Sequence, residues 1–160
     1  MAEMSRRPFQ AFLDEHRTPV LVYLRAMVGP GDADDCFQET FMAALRSYET
    51  LDGANPRAWV MTIARNKAID HHRSAARRAV PKGDDLPDVA APAKVEHDPE
   101  LWAAVAELPD RQREAVGLRF AADLRYREIA AAMNTSEEAA RRSVHEGLKK
   151  LRDTITKEAR

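Results

Sequence analysis

The sequence predicts an all-α chain: two small helical domains joined by a proline- and aspartate-rich linker, the second domain carrying a helix-turn-helix. Three observations lead there. Apolar residues recur with a helical period in two long blocks. No strand-like alternation persists for more than a few residues. Between the blocks, residues 80–100 read VPKGDDLPDVAAPAKVEHDPE, with four prolines, six acids against two lysines, and no apolar period. Proline density and unbalanced charge block regular structure there. The expected divisions are 1–79, a linker over 80–98, and 99–160.

The elements follow in order. Phe12, Leu13, Val20, Leu21 and Leu24 predict one or two helices over 9–28, ended by Gly29-Pro30. Asp32 is placed to cap the next helix, which runs to about Tyr48. Its apolar face is expected to be Phe37, Phe41, Ala44, Leu45 and Tyr48, with Asp34, Asp35, Gln38, Glu39 and Arg46 off that stripe. After the loop Leu51–Asn55, Pro56 suits a first helical turn. The run PRAWVMTIARNKAIDHHRSAARR then makes a long helix, buried through Trp59, Val60, Ile63, Ala64 and Ala68.

In the second block, Leu101, Trp102, Val105 and Leu108 predict a short amphipathic helix, and Pro109 opens another. A third short helix over RYREIAAAM meets a tight turn at Asn134-Thr135, then a last helix from Ser136 to about Thr156. Asn134 tolerates the left-handed conformation that such a turn needs. Ser136 can cap the last helix, although the full capping box is absent.

Tyr126 to Leu148 has the form of a helix-turn-helix. Ile129 and Met133 face inward, Ala130 is small where helices cross, and Val144 and Leu148 close the core. The second helix turns Arg141, Arg142, His145 and Lys149 outward, as a major-groove reader does. The plain alternative is a helical hairpin with a solvated charged face. Glu137, Glu138 and Glu146 oppose phosphate on that same helix.

Composition bounds the function. The chain has 160 residues, 44% hydrophobic and 32% charged, which fits a folded chain with thin cores. A net charge of -1 leaves nucleic-acid contact to local basic patches. The first residues, MAEMSRRPFQAF, hold no apolar run for a signal peptide, and no segment is long enough to span a bilayer. The single cysteine, Cys36, excludes an internal disulfide framework and suits a reducing cytoplasm. No histidine or acid stands at nucleophile spacing from Cys36, and no glycine-rich phosphate loop is present. His71 and His72 are adjacent, so on a helix they point to different faces and share no metal. The chain is therefore read as a non-enzyme without cofactor or metal.

Two stretches carry a resemblance. DADDCFQETFMAALRSYETLDGANPRAWVMTIARNKAIDHHR resembles the second conserved region of the sigma-70 family, in its compact extracytoplasmic-function group. LPDRQREAVGLRFAADLRYREIAAAMNTSEEAARRSVHEGLKKLRD resembles the fourth region. The resemblance implies core RNA polymerase as obligate partner, promoter DNA as target, an anti-sigma factor as a further candidate partner, and a monomer when free, with no membrane attachment. It assigns polymerase binding to Asp35, Gln38, Glu39 and Phe41, an acid-amide-acid face able to meet an arginine-rich coiled coil. It assigns reading and melting of the −10 element to the loop Leu51–Asn55 and to Trp59, Asn66, Asp70 and Arg73. A flipped base needs an apolar wall and an amide to read its edge. Trp59 reads as a core anchor ahead of a base contact, whereas Asn66 in mid-helix has no obvious structural role. Lys67, Arg73, Arg77 and Arg78 form a basic run suited to the phosphates of opened DNA.

Reading of the −35 element falls to Arg127, Arg141, Arg142, His145 and Lys149. Here the chain departs from the family. Glu138, Ala139 and Ala140 stand where many members carry glycine, threonine and valine, and Ser143, Glu146 and Leu148 occupy sites often basic. A divergent −35 sequence or weak contacts are expected. Two other classes stay open at this stage: a stand-alone helix-turn-helix regulator that dimerises on palindromic DNA, and a sigma-like adaptor that never starts transcription.

Overall fold

The computed structural model describes residues 8–51, 55–78 and 98–158. These form seven α-helices: α1 (Phe9–Val28), α2 (Ala33–Ser47), α3 (Pro56–Arg78), α4 (Pro99–Ala106), α5 (Asp110–Phe120), α6 (Tyr126–Met133) and α7 (Glu137–Glu158). A 3-10 turn, Tyr48–Thr50, ends α2. There is no strand among the described residues, and no described helix is long and apolar enough to cross a membrane. The expected linker, 80–98, lies outside the described residues except for Asp98.

The first three helices pack mutually. Their heart is aromatic: Phe12 meets Tyr48 at 5.2 Å, Trp59 at 5.8 Å and Phe41 at 6.3 Å between ring centroids. α1 is one helix although Pro19 lies within it. Proline cannot donate to the carbonyl four residues back, which is that of Glu15. Arg57 of α3 reaches that oxygen through Nη2 at 3.4 Å. At the other end Gly29 turns left-handed (φ 86°), and His72 Nε2 donates to the Met27 carbonyl at 2.7 Å, satisfying an acceptor that the helix terminus leaves open.

Two expectations for α2 fail. Asp32 makes no side-chain cap; its carboxylate meets His71 Nε2 at 3.0 Å and ties the start of α2 to α3. Leu45 is 56% exposed, not core. The buried stripe is Ala33, Cys36, Thr40, Phe41 and Ala44, rotated by one residue toward positions that look polar or ambiguous in sequence. Thr40 enters the core because its hydroxyl donates to the Cys36 carbonyl at 2.7 Å, leaving no unpaired polar atom.

In the second group α5 and α7 pack most extensively, with α6 against both and α4 alongside. Asp98 caps α4, accepting from the Glu100 and Leu101 backbone N–H groups at 3.0 and 3.4 Å. Leu108 is buried as expected but lies past the end of α4. A Cβ on Gly147 would come within 2.6 Å of Val116, so glycine permits the close α5–α7 crossing. Asn134 is left-handed (φ 53°, ψ 52°), and Ser136 Oγ accepts from the Ala139 N–H at 3.0 Å.

The two groups are docked. α1 packs on α4 and α5, α3 packs on α6, and one buried apolar cluster runs through both. Gly117 of α5 lies so close to the Tyr23 ring that a Cβ there would approach it to 2.9 Å.

Candidate nucleic-acid interface

Helices α2, α3 and α7 present most of the residues singled out in sequence. On α2, Asp35, Gln38 and Glu39 are exposed. Helical spacing continues their stripe to Met42, 55% exposed, and Leu45. Polar and apolar groups thus share one uncovered face. Phe41 does not stand with them: it is 4% exposed and packs on Phe37 at 4.8 Å, since a ring of that size on the inward side of α2 fills the core. Its contribution to the face is support from beneath. Met42 takes the apolar role on the outer stripe, and sequence reasoning passed over it.

On α3, Asn66, Asp70 and Arg73 are exposed at successive turns of one side. Trp59, two turns upstream on that side, is half-buried against Phe12. It anchors α3 to α1 as the core reading anticipated. Residues 52–54 of the preceding loop and the side chains of Arg77 and Arg78 lie outside the described residues. Asn55 is described: its Oδ1 accepts from the Arg57 N–H at 3.0 Å, capping α3, while its Nδ2 donates to Glu128 Oε2 of α6 at 2.6 Å. Burial works against ionisation of Glu128. The hydrogen bonds from the Arg125 N–H and the Asn55 amide, with the charges of Arg125 and Arg127, outweigh it and hold the carboxyl below its ordinary value.

On α7, Arg141, Arg142, His145 and Lys149 are all exposed, as is Arg127 on α6. Tyr126 lies between two guanidinium groups: Arg119 sits 5.1 Å and Arg141 4.9 Å from its ring centroid. Arg119 also donates to the Leu124 carbonyl at 2.9 Å. An open basic cleft beside the ring is lined by Arg119, Arg125, Tyr126, Arg127 and Glu137. Sequence reading missed Arg119 and Arg125. The signal was the basic-aromatic-basic run Arg125-Tyr126-Arg127 at the mouth of α6.

The α3 stripe faces the second group across a cleft of about 410 Å³ lined by Arg65, Asn66, Ile69, Asp70, Arg73, Arg111, Met133 and Asn134. Arg65 bridges the cleft's base: Nε meets Glu114 Oε1 at 2.7 Å and Nη1 donates to the Ala132 carbonyl at 3.1 Å. Among the described residues no group of acids, histidines and cysteine could hold an ion. His71 and His72 turn to different partners, Asp32 and Met27.

Comparison with known proteins agrees with the fold and its division. Residues 12–78 match the family model for Sigma-70 region 2, and residues 99–151 that for Sigma-70, region 4. The chain is 36% identical over 140 residues to the ECF RNA polymerase sigma factor SigF of Caulobacter vibrioides, covering 83% of this chain and 76% of the relative. It is 37% identical over 112 residues to the ECF RNA polymerase sigma factor SigM of Bacillus subtilis, covering 66% and 68% respectively. In structure it is similar to the sigma factor RpoE solved in complex with the anti-sigma factor NepR from Bartonella quintana, with TM-score 0.77, 21% identity, and 92% and 96% of the two chains covered.

Proposed function

The chain belongs to the extracytoplasmic-function group of the sigma-70 family, whose members direct RNA polymerase to promoters and initiate transcription, and within that role we propose a division of labour among α2, α3 and α7. Residues 1–79 act as the module that engages polymerase and the −10 element, residues 99–160 as the module that reads the −35 element, and 80–98 as their tether. Asp35, Gln38 and Glu39 hold core RNA polymerase, with Met42 and Leu45 supplying apolar contact. Asn55, Asn66, Asp70, Arg73 and Arg77 receive the opened strand. Arg127, Arg141, Arg142, His145 and Lys149 face the −35 duplex. The chain performs no chemistry of its own. An anti-sigma factor is a further partner of the kind held by the RpoE relative.

The observation that carries this reading is the segregation of exposed side chains. An acid-amide-acid stripe on α2, a polar stripe on α3 and a basic face on α7 each sit on a helix whose other side is core. Charge-assisted hydrogen bonds from arginines suit the first. A mid-helix amide beside a guanidinium suits an unpaired base and its phosphate.

In vitro transcription with purified core polymerase is the test. The full chain should restore promoter-specific initiation. The Asp35→Ala, Gln38→Ala, Glu39→Ala variant should bind core polymerase about tenfold or more weakly, as loss of interfacial charge partners does. Asn66→Ala should leave that affinity intact but reduce permanganate reactivity of thymines in the melted region. Unchanged polymerase affinity in the triple variant removes α2 from the interface. Unchanged thymine reactivity removes Asn66 from the strand site.

A further inference from the structure

A cavity of about 270 Å³ lies where α1, α3 and α5 meet. Its apolar wall is made by the Tyr23 ring, Met27, Ala68 and Ile69. Arg65, Asp110, Arg113 and Glu114 make its polar wall. His72 and Arg73, both exposed, stand where it reaches solvent. An apolar wall with a few convergent polar groups is the usual make-up of a small-molecule site, and the volume falls just below the range of about 300–1,000 Å³ common for such sites.

Two donors on this wall lack acceptors. The Tyr23 hydroxyl and Arg113 Nε are buried, and neither has a hydrogen-bond partner among the described residues. Tyr23 is wholly buried, and that burial holds its phenol well above its ordinary pKa, so the group is a neutral donor. The charges that act on it are those of Glu114, Arg65 and Arg113, which puts the hydroxyl end of the ring among the polar wall. Buried donors are nearly always paired, because an unpaired one carries its desolvation cost with nothing in return. Two of them lining one cavity point to an acceptor that belongs there.

The other polar groups define that acceptor. Both acids are engaged: Glu114 Oε1 accepts from Arg65 Nε at 2.7 Å, and Asp110 Oδ1 accepts from Arg113 Nη2. Arg113 Nη1 donates to the Ala106 carbonyl at 3.1 Å, which leaves Nε as the open donor of that guanidinium. Three arginines (65, 73 and 113) face two acids (110 and 114), a surplus of one positive charge. One carboxylate balances it. A phosphate dianion would exceed it and meet two like charges. We propose that this cavity binds a small monocarboxylate with a compact apolar body. Its oxygens accept from the Tyr23 hydroxyl and Arg113 Nε, the second bond charge-assisted, while its hydrocarbon packs on Met27, Ala68 and Ile69. Arg73 apart, none of these side chains carries an assigned polymerase or promoter role, so loss of the site leaves those roles standing.

Isothermal titration of the full chain with benzoate, a carboxylate on a compact ring, is the test. We expect saturable one-to-one binding with a Kd of about 1 mM or tighter, within reach of a ligand of so few atoms. Benzamide, which keeps the shape and loses the charge, should bind at least about tenfold more weakly. Inorganic phosphate should not compete. Tyr23→Phe removes the hydroxyl alone, and Arg113→Lys removes the Nε donor while keeping the charge; each should weaken benzoate by about tenfold. Ile69→Trp fills the cavity and should abolish binding. Circular dichroism and thermal unfolding establish that each variant keeps its helices; should Arg113→Lys lose them, Tyr23→Phe and Ile69→Trp decide. Absence of saturable benzoate binding, undiminished binding in both Tyr23→Phe and Ile69→Trp, or tighter binding of phosphate than of benzoate overturns the assignment. Binding lost in Tyr126→Ala but kept in Tyr23→Phe overturns it equally, by moving the anion to the basic cleft beside α6.

Discussion

Cys36 illustrates how one side chain's surroundings set its chemistry. It is 1% exposed at the inner face of α2, and burial, reinforced by Glu39, Asp32 and Asp35, pushes its thiol up to about 11. The thiolate is the reactive form, so little of it exists near neutrality. A maleimide reagent at neutral pH should leave the native chain unlabelled over hours and modify it at once in denaturant. Rapid native labelling by intact-mass measurement would contradict this placement. Tyr126 is the second informative residue. Its ring between Arg119 and Arg141 restrains Arg141 before any DNA arrives, and cation–π contacts of this exposed kind are worth about 0.5–1 kcal/mol each. Tyr126→Ala should therefore weaken promoter binding by the polymerase complex severalfold, and Tyr126→Phe should retain parental affinity because the ring face persists. Equal loss in both variants would assign the effect to the hydroxyl instead.

At the level of elements, legibility in the sequence tracked local chemistry. Helix ends set by Gly29, Pro56, Pro99 and Ser136 stand where their backbone preferences put them, and the Asn134 turn is left-handed as Asn allows. The face of α2 was harder to read. Leu45 looks like core and is solvent-facing, while Thr40 looks marginal and is buried. Periodicity alone cannot separate an inward apolar stripe from an outward one meant for a partner, because both bury apolar area somewhere. Asp32 likewise had two uses open to it, a local cap or the distant His71, and only the approach of α3 decides between them. The α5–α7 crossing supplies a test at this scale. Gly→Ala in an exposed helix interior normally stabilises by about 0.5–1 kcal/mol. At Gly147 the new Cβ would stand 2.6 Å from Val116 Cγ2, and overpacking of this sort costs about 1–3 kcal/mol. Gly147→Ala should lower the thermal midpoint by a few degrees; a raised midpoint would mean that α5 and α7 can part without loss.

For the whole molecule, the long-range polar pairs were invisible to sequence reading. Arg65 and Glu114 are 49 positions apart and Asn55 and Glu128 are 73 apart, and no local pattern marks them as partners. Charge already argues for weak binding: 25 Lys and Arg against 26 Asp and Glu give little long-range attraction. The α7 face adds Glu137, Glu138 and Glu146 to its cations, so few phosphates can be neutralised, and each missing contact removes roughly one unit of salt slope. A single module also buries only about 600–1,000 Å² on DNA. Core polymerase meets both difficulties together. By holding both modules it makes the second DNA contact intramolecular, so that avidity supplies what each module lacks. A gel shift at physiological salt should therefore show negligible specific binding of promoter duplex by the chain alone and a discrete, sequence-dependent complex once core polymerase is added. Tight specific binding by the free chain, above all as a dimer on a palindrome, would instead describe a stand-alone regulator built on the same helices.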